Sequence, residues 1–240
     1  MEAPAIFDAW SGRVDEAAAW AARLHRGQYR TGNEIPYVTH LWAVASLVAE
    51  WGGDEDQVVA ALLHDAVERE GGRTTLAEIE DRFGPRAATI IEECGDGHER
   101  DAVAGSQWDE HVAAYLAQLR DASPEARLVA CCDVLHDASC TVRDLRRFGG
   151  RALEGRAGGS DGVLWFFRGL AGVFRNAGGL PLELVRELER SVAEMAVLGK
   201  VDCALTPFSG ESLDEWSGRV ATVARRVRLN GCGPEGDPAP

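Results

Sequence analysis

Apolar residues recur three and four positions apart in nearly every segment of this chain, and no run alternates in the manner of a strand. That period is the turn of an amphipathic helix, so the fold class it dictates is all-α, a helical bundle. Start and stop signals agree with it. Asp54 precedes "EDQVVAALLHDAVE", Thr75 and Glu78 make a capping-box pattern, and Ser123-Pro124 opens a long apolar run. Gly84-Pro85, Gly95 to Gly97 and Gly149-Gly150 mark ends. Helices are expected over 8–26, 37–51, 55–70, 75–83, 85–94, 107–121, 124–148, 162–176, 181–198 and 211–228. The stretch "GGRALEGRAGGSD" (149–161) reads as a Gly-rich connection. It divides a helical domain over 1–148 from additional C-terminal helices over 162–228 that pack on the bundle. Residues 229–240, "NGCGPEGDPAP" with its preceding residue, read as a disordered tail.

Several partner classes are excluded at this level. A net charge of −14 opposes binding to a nucleic-acid polymer, which needs clustered cations. No apolar run approaches the roughly 20 residues that cross a bilayer. The N-terminus "MEAPAIFDAW" has no basic and apolar signal pattern, and the six cysteines lack framework spacing, so a cytoplasmic, reduced chain is expected. A small phosphorylated ligand stays open where basic residues cluster.

The chemistry concentrates in "AALLHDAVE". On a helix, His64 and Glu68 are four apart and Asp65 and Glu68 three apart, so the three can project from one side. An ordinary amphipathic helix with incidental charges has the same pattern. His40 opens the preceding helix in "IPYVTHLWAVASLV", and Asp133 sits in the apolar run "LVACCDVLHDA". A carboxylate there needs a counter-ion, either an arginine or a metal. Two imidazoles and two carboxylates from three helices make a mixed N/O set suited to Mn, Fe, Zn or a similar ion. In "RDLRRFGGR", Arg143, Arg146, Arg147 and Arg151 give the Asp133 helix a cationic end, for the helix dipole or for a phosphate.

These motifs, in this order, resemble the HD superfamily of metal-dependent phosphohydrolases, and in particular the hydrolase domain of RelA/SpoT-type alarmone enzymes and their small stand-alone relatives. The matching text is "AARLHRGQYRTGNEIPYVTH", "AALLHDAVE", "CCDVLHDA" and the pair Asp96-Gly97, over roughly residues 14–148. The resemblance implies one divalent metal, Mn foremost with Fe, Zn, Co or Mg admissible, held by His40, His64, Asp65 and Asp133. It implies Glu68 as general base or proton shuttle, Arg30 against the substrate base or phosphate, and a nucleotide substrate shortened by pyrophosphate at its 3′ position. The chain departs from the pattern at three places. Arg69 follows Glu68 where the alarmone hydrolases carry Asp, Asp137 replaces an Asn, and Thr31 replaces a Lys. Arg69 therefore either weakens Glu68 as a base or holds a phosphate. Asp137 and Arg143 join Arg30 as candidate substrate contacts, and another nucleotide or phosphoester suits these charges about as well.

Two other readings compete with the phosphohydrolase. One is a two-metal HD protein such as a di-iron oxygenase, with His98 and His111 as candidate extra ligands, although "GDGHERDAVAGSQ" reads as solvated surface. The other is a non-catalytic nucleotide-binding HD-fold protein. His25 reads as a structural hydrogen-bonding residue, and His136 either backs the metal site or is merely packed.

Overall fold

The computed structural model describes residues 10–30, 34–95, 106–153, 156 and 159–199, apart from the side chains of 69, 70, 106, 107 and 109. Its elements are α1 (Gly12–Leu24), α2 (Val38–Glu50), α3 (Glu55–Leu63), α4 (Ala66–Glu70), α5 (Arg73–Phe83), α6 (Pro85–Cys94), α7 (Ser106–Asp121), α8 (Pro124–Phe148), α9 (Gly159–Ala177) and α10 (Leu182–Gly199). Among the described residues the fold is all-α, the one extended feature being an isolated antiparallel bridge between Tyr29 and Pro36. The expected helix over 211–228 and the tail over 229–240 lie outside the described residues.

The middle of the bundle is α3. Every residue from Gln57 to Leu63 is buried, as expected of a helix that is apolar all round. It packs against α1, α2, α6 and α8. A capping box fixes its start: the Asp54 side chain accepts from the Gln57 backbone N–H, and the Gln57 side-chain oxygen accepts from the Asp54 N–H. Arg13 ties α1 to this end, donating to Glu55, Asp56 and the Phe83 carbonyl. The longest helix, α8, opens on Ser123, whose hydroxyl accepts from the Ala126 N–H, followed by Pro124. It packs against α2, α3 and α6, and also against α9 and α10. Leu184, Leu188, Val192 and Met195 of α10 are buried.

Two sequence expectations are corrected. The helix expected over 55–70 is interrupted at His64 and Asp65, leaving α3 and α4 separate. The capping box expected at Thr75 does not form, because α5 already begins at Arg73 behind Gly72 and Thr75 is buried. Of the connection 149–161, residues Gly149–Leu153 form a 3-10 turn that buries Leu153, and α9 starts at Gly159.

Candidate metal centre

Three elements deliver His40, His64, Asp65 and Asp133 to one point. His40 sits in the first turn of α2, His64 and Asp65 at the break between α3 and α4, and Asp133 midway along α8. The break is what lets neighbours in the chain face the same point. On a continuous helix, side chains at i and i+1 do not face each other. Asp65, at φ −84 and ψ −8, has left regular helical geometry. All four side chains are buried. His40 Nε2 lies 3.1 Å from Asp133 Oδ1 and 3.9 Å from Asp65 Oδ2, while His64 Nε2 lies 3.4 Å from Asp65 Oδ2 and 3.7 Å from Asp133 Oδ1.

The hydrogen bonds behind these atoms show that the set fits a cation. His64 Nδ1 is 2.9 Å from the Ala61 carbonyl oxygen, which can only accept, so Nδ1 carries the proton. In neutral His64 the lone pair on Nε2 then faces two carboxylate oxygens. Lone pair against lone pair is repulsive, and only a proton or a metal ion between them resolves it. In the absence of a cation, a proton is favoured there. Burial alone would push His64 down, but Asp65 and Asp133 outweigh it and hold His64 up at about 10. His40 is raised against its burial by Asp133, Asp137 and Asp65. Reciprocally, burial would raise Asp133 and Asp65, yet the two imidazoles hold Asp133 well below the usual carboxylate range and lower Asp65 as well. The Tyr37 hydroxyl donates a further hydrogen bond to Asp65 Oδ2. Among the described residues, His40, His64 and Asp65 offer donor atoms that could hold one ion together.

Glu68, in α4, reaches the same neighbourhood. A β-carbon placed on Gly95 would come within 3.2 Å of Glu68 Oε1. The buried Cys94 thiol at the end of α6 is pushed up by its burial and then by the charges of Asp133, Glu68 and Asp65. The backbone of Arg69 follows in α4; its side chain, and Thr31, Asp96, Gly97 and His98, lie outside the described residues. His111 belongs to neither of the described groups that could hold an ion. His25 is buried, with Nδ1 2.8 Å from Gln28 Oε1.

On the solvent side of the four donors, α8 continues the stripe that begins at Asp133. His136 Nδ1 is 2.8 Å from His40 Nδ1. Burial first, then the charges of His40 and Arg30, push His136 down to about 3. Asp137 accepts from Arg30 Nη2 at 3.3 Å. Arg30 Nη1 and Arg143 Nη2 both donate to Cys140 Sγ, at 2.8 and 2.6 Å. Arg30 is held in place by its backbone, whose N–H donates to the Ile35 carbonyl across the Tyr29–Pro36 bridge. Arg30, Asp137 and Arg143 are thus brought together beside the centre. Arg146 is not, since it pairs with Glu194 of α10. Sequence reasoning passed over Tyr37 and Cys140. Their signals were present as helical spacing: Tyr37 stands three before His40, and Cys140 stands seven after Asp133 and three before Arg143.

Comparison with known proteins points the same way. The HD domain family pattern matches residues 17–147. Over 135 residues the chain is 38% identical to human guanosine-3′,5′-bis(diphosphate) 3′-pyrophosphohydrolase MESH1, spanning 55% of this chain and 69% of that protein. It is 39% identical over 80 residues to the bifunctional (p)ppGpp synthase/hydrolase SpoT of Escherichia coli K12, covering 33% of this chain but 11% of that longer protein. In structure it resembles a metazoan ortholog of SpoT, with a TM-score of 0.58 at 22% identity over 77% of this chain and 96% of the other. It also resembles a Listeria monocytogenes EGD-e protein, with a TM-score of 0.54 at 26% identity over 67% of this chain and 97% of the other. The buried His-Asp pair, its partners from two further helices and the match across 17–147 lead to one assignment: the chain belongs to the HD domain family.

Proposed function

We propose that the chain is a metal-dependent phosphohydrolase acting on a phosphorylated nucleotide, and that its substrate is guanosine 3′,5′-bis(diphosphate) or a close analogue, cleaved at the 3′ pyrophosphate. The observation that carries this reading is the facing of two imidazole lone pairs and two buried carboxylates across 3.1 to 3.9 Å, an arrangement that calls for a cation. The 38% identity with MESH1 over 69% of that protein's length supports the substrate. His40, His64, Asp65 and Asp133 would hold one divalent ion, and the mixed N/O donors favour Mn. When bound, the metal supplies a Lewis acid that lowers the pKa of a water and polarises a phosphoryl oxygen.

The remaining work falls to the chain's own side chains. Glu68 takes the proton of the attacking water, with Gly95 leaving room for its carboxylate. Arg30 and Arg143 bind the substrate's anionic groups, whose oxygens replace Cys140 Sγ as acceptor. Asp137 neutralises part of Arg30, tuning this contact toward a less charged group. Arg69, directly after Glu68, takes a phosphate or lowers the basicity of Glu68. A cytoplasmic location belongs to the same reading and is supported by Cys94, Cys131, Cys132 and Cys140, all free thiols. So does the division into a catalytic domain over 1–148 and C-terminal helices that buttress it.

The test is hydrolysis of guanosine 3′,5′-bis(diphosphate), alongside nucleoside mono- and diphosphates, by protein stripped of metal and reloaded with Mn. Turnover should need Mn, and Glu68→Ala and His64→Ala should each lower kcat by about 100-fold or more. Turnover that survives both substitutions would overturn the mechanism. Arg69→Asp adds a substrate test: it should raise turnover of the bis(diphosphate) if the charge reversal restrains Glu68, and lower it if Arg69 holds a phosphate.

A further inference from the structure

His136 touches none of the carboxylates of the centre, yet it meets one of its imidazoles from behind. The His40 and His136 rings lie 4.9 Å apart between centroids at an interplanar angle of 47°, with their Nδ1 atoms 2.8 Å apart. Two ring nitrogens at that separation share one proton, and the groups at either end fix its owner. His40 Nε2 faces Asp133 Oδ1 at 3.1 Å and is the atom that must offer a lone pair to a cation. A neutral His40 therefore carries its proton on Nδ1, and His136 Nδ1 accepts it. That places the proton of His136 on Nε2, which faces Cys140 Sγ at 3.6 Å. At this far end Cys140 also accepts from Arg30 and Arg143. Each atom along the line then has one role. The opposite tautomer would turn an N–H of His40 toward the cation.

Asp137 does not supply this contact. Its Oδ1 is 3.7 Å from His40 Nδ1, outside hydrogen-bonding distance, and it serves Arg30 instead. His40, His136 and Asp137 do offer three donor atoms to a possible second ion. Such an ion would require His40 to ligate through both ring nitrogens at once, with the imidazole fully deprotonated.

We propose that His136 is a positioning residue: by accepting the Nδ1 proton of His40 it fixes the tautomer and plane of that ligand and thereby sets the affinity of the centre for a divalent cation. This rests on the metal centre of the proposed function. Partners of this kind behind a metal-bound imidazole contribute about 10- to 100-fold in metal affinity.

The experiment titrates Mn into the full chain after chelation, read by calorimetry and by loss of the free-ion paramagnetic resonance signal. It compares wild type with His136→Gln and His136→Leu. The two replacements have nearly equal bulk, but only glutamine keeps an acceptor. One Mn per chain is expected throughout, with His136→Gln close to wild type and His136→Leu weaker by about 10- to 100-fold. Melting of the chelated proteins controls for folding, and His136→Phe replaces the leucine variant if that one does not fold. Equal Mn affinity for the glutamine and leucine variants overturns the positioning role alone. Two Mn per wild-type chain, one of them lost in His136→Leu, overturns it in favour of a second ion. No Mn binding by wild type overturns both this inference and the proposed function.

Discussion

Without a cation at the centre, Asp65 and Asp133 favour protonation of His40 and His64, both of which are raised by those carboxylates. His64, held at about 10 in the fold against about 6.5 in an unfolded chain, contributes stability that is fully present below pH ~6.5 and is lost as the pH rises through ~10. Asp133, held well below the usual carboxylate range, contributes stability that is present above pH ~4 and is lost as the pH falls. A bound divalent ion would take the place of the protons. Mn should therefore raise the melting temperature more at pH 8.5 than at pH 6, and calorimetry in buffers of different ionisation enthalpy should register proton release on binding. Equal stabilisation at the two pH values would contradict the proton-for-metal exchange. Tyr37→Phe removes the hydroxyl that donates to Asp65 and should weaken Mn binding by about tenfold while leaving the fold intact. Of these residues, His64, Asp65 and Asp133 were legible because a charge in an apolar helical run needs a partner. Tyr37 was not, since a tyrosine three positions before a histidine reads equally well as packing.

The elements that carry the ligands were legible in type more than in detail. Periodicity and caps locate α2, α6 and α8 to within a residue or so, because those helices keep their apolar spacing and stop at Gly or Pro. The same periodicity conceals the break between α3 and α4, since Ala60, Ala61, Leu62, Leu63 and Ala66 are all buried and the apolar spacing runs on across it. The break directs His64 and Asp65 together, which no hydrophobic pattern records. The turn before α3 is tighter than its sequence suggests. A β-carbon on Gly53 would sit 2.8 Å from the Val48 carbonyl oxygen and against the Val48 side chain. Gly53→Ala should thus force α2 and α3 apart and cost about 1–3 kcal/mol in urea unfolding. Gly95→Ala meets a milder restraint, at 3.1 Å from the Ile91 carbonyl oxygen and 3.2 Å from Glu68 Oε1. It should lower kcat several-fold by displacing Glu68, with little change in melting temperature.

Across the described bundle, α8 is shared between two packings: α2, α3 and α6 on the ligand side, α9 and α10 on the other. Leu188 of α10 is fully buried. Leu188→Ala should cost about 2–5 kcal/mol of global stability and leave the Mn affinity of the folded chain unchanged, as judged by melting and by metal titration at low temperature. Along α8 itself, burial depends on the face: Asp133 and Cys140 are buried, Asp137 is part-exposed and Arg143 exposed. This contrast decides which positions can change freely. The exposed positions can be substituted without disturbing the core, whereas Asp133 is buried between two imidazoles. Under the proposed function, substitutions at Asp137 and Arg143 would alter substrate preference while leaving the buried residues behind them in place.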